Sequence, residues 1–112
     1  MPSRRVQQRL TEIIENIDAI RAFTAGIDYP TFSGDRKTVY AVTRALEIIS
    51  EASRRLPEEI QQRHPEVDWA GMAGAGNVYR HGYDSVDESQ LWNTVHNSLG
   101  TVRKMAVAEL AT

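Results

Sequence analysis

The chain has 112 residues, 41% of them hydrophobic and 25% charged, with a formal net charge of −2 at pH 7. That length suits one domain, residues 1–112, with an apolar core of its own, and the absence of cysteine excludes disulfides and thiolate metal sites. The slightly acidic balance argues against binding nucleic acid by bulk electrostatics, so any RNA contact has to be local, in a cleft where a few arginines outweigh the global field.

The first ten residues contain no apolar signal region and lead straight into an amphipathic pattern. No apolar run approaches the ~20 residues that span a bilayer, so a cytoplasmic protein without a membrane segment is expected. Val6, Leu10, Ile13, Ile14, Ile17, Ile20 and Phe23 recur at three- and four-residue steps, which predicts a helix from about Ser3 to Ala25, closed by Gly26. Ile27 to Gly34 carries Pro30 and Gly34 and reads as a loop, with Asp35 as the cap of a second helix. Val39, Val42, Leu46, Ile49 and Leu56 mark the buried side of that helix, and Ala41, Ala45 and Ala52 allow close approach.

Pro57 suits the first turn of a short third helix, Glu58 to His64, whose two leading glutamates complement its dipole. Pro65 ends it, and Asp68 then caps a fourth helix predicted over Trp69 to His81. Asp87 competes with a Ser85–Glu88 capping box at the start of a fifth helix. Its stripe is Leu91, Val95, Leu99, Val102, Met105 and Leu110, interrupted by Gly100. No segment alternates with period two. The expected fold class is therefore all-α, an antiparallel bundle of about five helices joined by short connections.

Chemistry concentrates in Gly76-Asn77-Val78-Tyr79-Arg80-His81-Gly82-Tyr83. Residues three and four apart share a helix face, so Asn77, Arg80 and His81 converge, with Tyr83 just beyond. A guanidinium beside an imidazole disfavours the imidazolium and leaves a neutral base near pH 7. Such a base suits removal of a proton from a ribose 2′-hydroxyl, while Arg80 offers forked donors to phosphate. A helix-terminal histidinium facing the macrodipole accounts for the same spacing equally well. Gly74 and Gly76 each cost a helix about 1 kcal/mol relative to alanine, which calls for close approach of another backbone or access for a phosphate. Glu47 and Glu51 sit four apart, usually the mark of a solvated face, although Glu51 lies within an apolar run and is a candidate site-lining residue. His64, His81 and His96 lack metal-ligand spacing, and no Walker loop or dinucleotide fingerprint is present, so no cofactor is expected.

Beyond these local readings, Asp35-Arg36-Lys37-Thr38, Ala41-Val42, Leu46-Glu47-Ile48-Ile49-Ser50-Glu51-Ala52 and Arg55-Leu56-Pro57 resemble the HepT-like family of HEPN-domain proteins. The resemblance continues through Pro65, Trp69, Ala73-Gly74, Asn77, His81, Tyr83, Val86-Asp87 and Trp92. It implies a homodimeric helical toxin of a toxin–antitoxin pair that cleaves RNA without a metal. It also implies a partner, a small MntA-like nucleotidyltransferase that neutralises the toxin by transferring AMP from ATP to a tyrosine. His81 then stands at the catalytic histidine and Tyr83 at the modified tyrosine. Where the family pattern has an arginine directly before the asparagine, this chain has Gly76, and Arg80 is expected to fold back over that gap. The alternative is a catalytically weak dimeric subunit that binds the nucleotidyltransferase.

Overall fold

The computed structural model describes residues 2–74 and 87–112, and among these the regular structure is helical throughout. Helix α1 spans Arg4–Thr24, with the Ser3 side chain accepting from the Val6 amide at its start. The chain leaves it through Gly26, whose φ of +73° lies in the left-handed region that side chains with a Cβ avoid. Leu10, Ile13, Ile17 and Ile20 are fully buried, as their spacing predicts. Phe23 departs from the expectation: it continues the stripe but is 46% exposed. Helical phase sets the side on which a residue emerges, whereas burial also needs a neighbour to cover it.

The segment predicted as a loop forms a helix, α2, over Tyr29–Gly34. Asp28 caps it by accepting from the Thr31 amide at 3.0 Å, and Pro30 falls in the first turn, where its missing N–H costs nothing. Phe32 anchors this short helix by full burial, 5.1 Å centroid to centroid from Trp92.

Helix α3, Arg36–Arg54, begins at the predicted cap Asp35, which accepts from both the amide and the hydroxyl of Thr38. Val42, Leu46, Ile49 and Ala52 are fully buried along it. Helix α4, Glu58–Arg63, follows Pro57, whose carbonyl accepts from Ile60 and Gln61. Residues 69–74 form the described part of α5, capped by Asp68, which accepts from the Gly71 amide at 3.0 Å. An added Cβ on Gly71 would lie 2.2 Å from an Asp68 carboxylate oxygen, so the glycine leaves room for the cap.

The last predicted helix is two helices, α6 over Glu88–Asn97 and α7 over Leu99–Leu110. Asp87 caps α6 through the Ser89 amide. The break falls at Ser98, and Gly100, which interrupts the apolar stripe, lies inside α7. Polar side chains cluster just before it: the His96 ring contacts the Trp92 carbonyl at 2.8 Å, and Asn97 donates to Asn93. Local bonds of this kind compete with helix continuation.

Helix α1 packs along α3 and α7. Asp18 pairs with Arg103, and Arg21 reaches towards Gly100, so the numbering rises along α1 as it falls along α7. A surface depression brings the start of α1 (Ser3, Val6) beside Pro57 and Ile60, just past the end of α3. Both pairs are therefore antiparallel, as the all-α bundle reading requires.

Candidate functional site

The expected chemical residues Asn77, Arg80, His81 and Tyr83, together with Gly76, fall within 75–86 and lie outside the described residues. The structure does describe the platform that leads to them. Met72 is buried, and its carbonyl accepts from the Ser50 hydroxyl of α3 at 2.6 Å, a bond made between two buried groups. Trp69 donates its indole N–H to the His64 carbonyl at 2.9 Å. Two contacts thus fix the first turn of α5 against α3 and the α4–α5 connection. Among the described residues nothing lies within 4 Å of a Cβ built on Gly74. Close approach of another part of the described chain therefore does not account for that glycine.

Glu51 sits one position after Ser50 and holds two arginines, Arg54 at 2.5 Å and Arg55 at 2.7 Å. The hydrogen bond from Arg55, joined by that from Arg54, outweighs partial burial and keeps its carboxyl below the usual range. At neutral pH Glu51 is a charge and a hydrogen-bond acceptor, with no proton to give. Glu47 pairs with Arg44 at 3.3 Å. Both carboxylates are partly buried, with 21% of the Glu47 side chain and 29% of the Glu51 side chain exposed.

Sequence spacing gives no hint of the corner built around Glu109. Its residue is only 4% exposed, yet it receives Arg63 through two nitrogens, at 2.6 and 3.2 Å, and His64 Nε2 at 2.6 Å. His64 Nδ1 meets Glu66 at 2.8 Å. Burial by itself pulls the His64 pKa down, but the two carboxylates outweigh it and leave the imidazole raised above its usual value. Glu109 is held below the usual carboxylate range, chiefly by Arg63 and then by His64, against the opposing effect of burial. Glutamate between Ala108 and Leu110 reads as a break in an apolar stripe, and its partner His64 lies 45 residues away on another element.

A cavity of about 310 Å³ opens between the start of α5 and the α6–α7 junction, lined by Glu66, Asp68, Gly71, Gln90, Thr94 and Asn97 among others. Its two carboxylates make it a poor seat for phosphate. No cluster of three His, Asp or Glu side chains among the described residues is placed to hold a metal ion, and no described helix is long and apolar enough to cross a membrane.

Comparison with known proteins decides the family. The family described as "Ribonuclease HepT-like" matches residues 13–108. This chain belongs to the HepT-like ribonuclease family. It is 40% identical over 94 residues to a "Probable ribonuclease HepT" of Thermococcus cleftensis, covering 84% of this chain and 86% of that protein. It is 36% identical over 104 residues to "Putative RNase MJ1380" of Methanocaldococcus jannaschii, covering 93% and 95%. Another relative, "Putative RNase TTE0752" of Caldanaerobacter subterraneus, is 30% identical over 95 residues, 85% of each chain. No solved structure matches the chain significantly. The HepT-like assignment spans α1 to α7, so it includes both the α3–α5 platform and the 75–86 segment.

Proposed function

We propose that this chain is a cytoplasmic, single-domain toxin ribonuclease that acts as a homodimer and cleaves RNA without a metal. The observation that carries this reading is the family match over residues 13–108, with relatives named as ribonucleases along most of their length. His81 acts as general base on the ribose 2′-hydroxyl, whose oxygen attacks the adjacent phosphorus and displaces the 5′-oxygen of the next nucleotide. Arg80 clamps the phosphate, whose developing negative charge a fixed guanidinium stabilises, and Asn77 orients it. The buried Ser50–Met72 bond anchors the helical turn that precedes this segment, which supports a preorganised site. Two copies of the motif face one another across the dimer and complete the cleft.

Tyr83 is the regulated residue, receiving AMP from ATP through a MntA-like nucleotidyltransferase that serves as antitoxin. Gly76, where the family pattern has arginine, places the whole burden of phosphate charge on Arg80. Replacement of Arg80 by alanine is therefore expected to abolish cleavage of RNA in EDTA; full cleavage by that variant would remove the clamp from the mechanism. Incubation with the nucleotidyltransferase and ATP is expected to raise the intact mass by AMP units, and a gain that survives Tyr83→Phe would remove Tyr83 from its role. The same Gly76 favours a second reading, a catalytically weak subunit whose main task is to bind the nucleotidyltransferase. Mass gain without RNA cleavage by the unmodified chain would select it.

A further inference from the structure

The outer face of α3 differs in charge from the molecule that carries it. Arg36, Lys37, Arg44, Arg54 and Arg55 fall within about 100° of one another around the helix axis, given 3.6 residues per turn. Glu47 and Glu51 share that face. Five cations and two carboxylates leave it at +3, in a chain whose overall charge is −2. Both carboxylates are already committed to arginines of the same face, while Arg44 keeps 70% of its side chain exposed.

In the middle of the basic half stands Tyr40, 61% exposed. Arg36 donates to its hydroxyl at 3.1 Å and lies 5.4 Å from the ring centroid. An aromatic ring held in the open by one arginine, with a second arginine one turn along, contributes only modestly to stability, about 0.5–1 kcal/mol for an exposed cation–π contact. It does match what an unpaired nucleic acid strand needs, a π-face on which a base stacks and cations that follow its phosphates. Ser50, which holds α5, is ten residues further along the same helix, on the order of 15 Å at 1.5 Å per residue. A strand lying on this face would pass the level of α3 at which α5 docks, with Ser50 itself buried on the inner side. The acidic cavity beside Asp68 offers no comparable path.

We infer that the outer face of α3 is a binding track for single-stranded RNA, with Tyr40 as a base-stacking platform and Arg36, Arg44 and Lys37 as phosphate contacts. The inference rests on the ribonuclease reading for its substrate class, but it concerns binding and is testable apart from cleavage. The probe is a fluorescein-labelled 12-nucleotide 2′-O-methyl oligoadenylate, which lacks the attacking hydroxyl and stays intact on the unmodified protein.

Tyr40→Ala is expected to weaken its binding roughly 5- to 150-fold, the loss of one base–aromatic stack, while Tyr40→Phe stays within about threefold of wild type. Arg44→Ala should lower the magnitude of the slope of log K against log salt by about 0.7. Sedimentation mass should be the same for all variants. Wild-type binding by Tyr40→Ala, or equal losses for Tyr40→Ala and Tyr40→Phe, overturns the track, as does a change in sedimentation mass, which would make this face a contact between copies of the chain. If the wild-type protein cleaves ordinary RNA while Tyr40→Ala binds the probe normally, the track alone falls. If the wild-type protein neither binds the probe nor cleaves RNA, the ribonuclease reading falls with it.

Discussion

Arginine and glutamate meet in two regions of this molecule with opposite consequences. At the α4–α7 corner Glu109 keeps only 5% of its side chain exposed and collects Arg63 and His64, which ties the C-terminal helix to the connection that leads into α5. On the outer face of α3, Glu47 and Glu51 keep 21% and 29% exposed, and their arginines reach them from the same helix. Burial decides the difference. A buried carboxylate that loses its partners is left as an uncompensated charge, whereas an exposed pair exchanges its partner for water at little cost. The first region ties separate elements together, and the exposed pairs of the second add little to stability.

Glu109→Ala is the strongest way to break this contrast. It removes the common acceptor of two cationic donors and opens a gap beside α7, and about 3 kcal/mol of stability should be lost in urea unfolding. A loss below ~0.5 kcal/mol would put the corner in the same class as the α3 face.

The pH dependence sharpens the same point. His64 is raised in the folded protein because carboxylates face both of its ring nitrogens, Glu66 at Nδ1 and Glu109 at Nε2, with Arg63 sharing Glu109 and Glu59 near Arg63. Its contribution to stability is therefore complete below the unfolded value of 6.5 and is lost as pH rises through the raised folded value. Glu109, lowered in the fold, contributes above 4.5 and loses that contribution as pH falls through its lowered value. Unfolding free energy measured between pH 6 and pH 9 should decline on the alkaline side, and His64→Gln should flatten that decline. An unchanged profile in His64→Gln would contradict the assignment.

Arg44→Ala is the smallest expected effect. Its pair with Glu47 is exposed, so stability should move by no more than about 0.5 kcal/mol. A much larger loss would show the α3 face to be structural.

Helices α1 and α3 were readable because their buried residues follow from local spacing, and Asp35 and Asp87 act as the caps their positions suggest. Helix α2 was not, since Pro30 and Gly34 read as breakers unless Phe32 is known to be buried beside Trp92. The break at Ser98 was not expected within a single fifth helix, because the Asn93–Asn97 and Trp92–His96 bonds beside it need coordinates. Glu109 shows the same limit. A glutamate in an apolar stripe is buried because Arg63 and His64 arrive from 46 and 45 residues away. Asn77, Arg80, His81 and Tyr83 are legible as chemistry from residue type and spacing, while the structure contributes the Ser50–Met72 base from which their segment starts.

RNA cleavage through His81 without a metal is the proposed activity of this HepT-like chain. The measurement that tests it most directly is cleavage of single-stranded RNA by the full-length protein in EDTA, wild type beside His81→Ala, with helical content checked by circular dichroism. The account predicts cleavage by wild type and a loss of at least ~100-fold in the folded variant, the usual contribution of a general base. Equal cleavage by both proteins, or none by wild type, would contradict it.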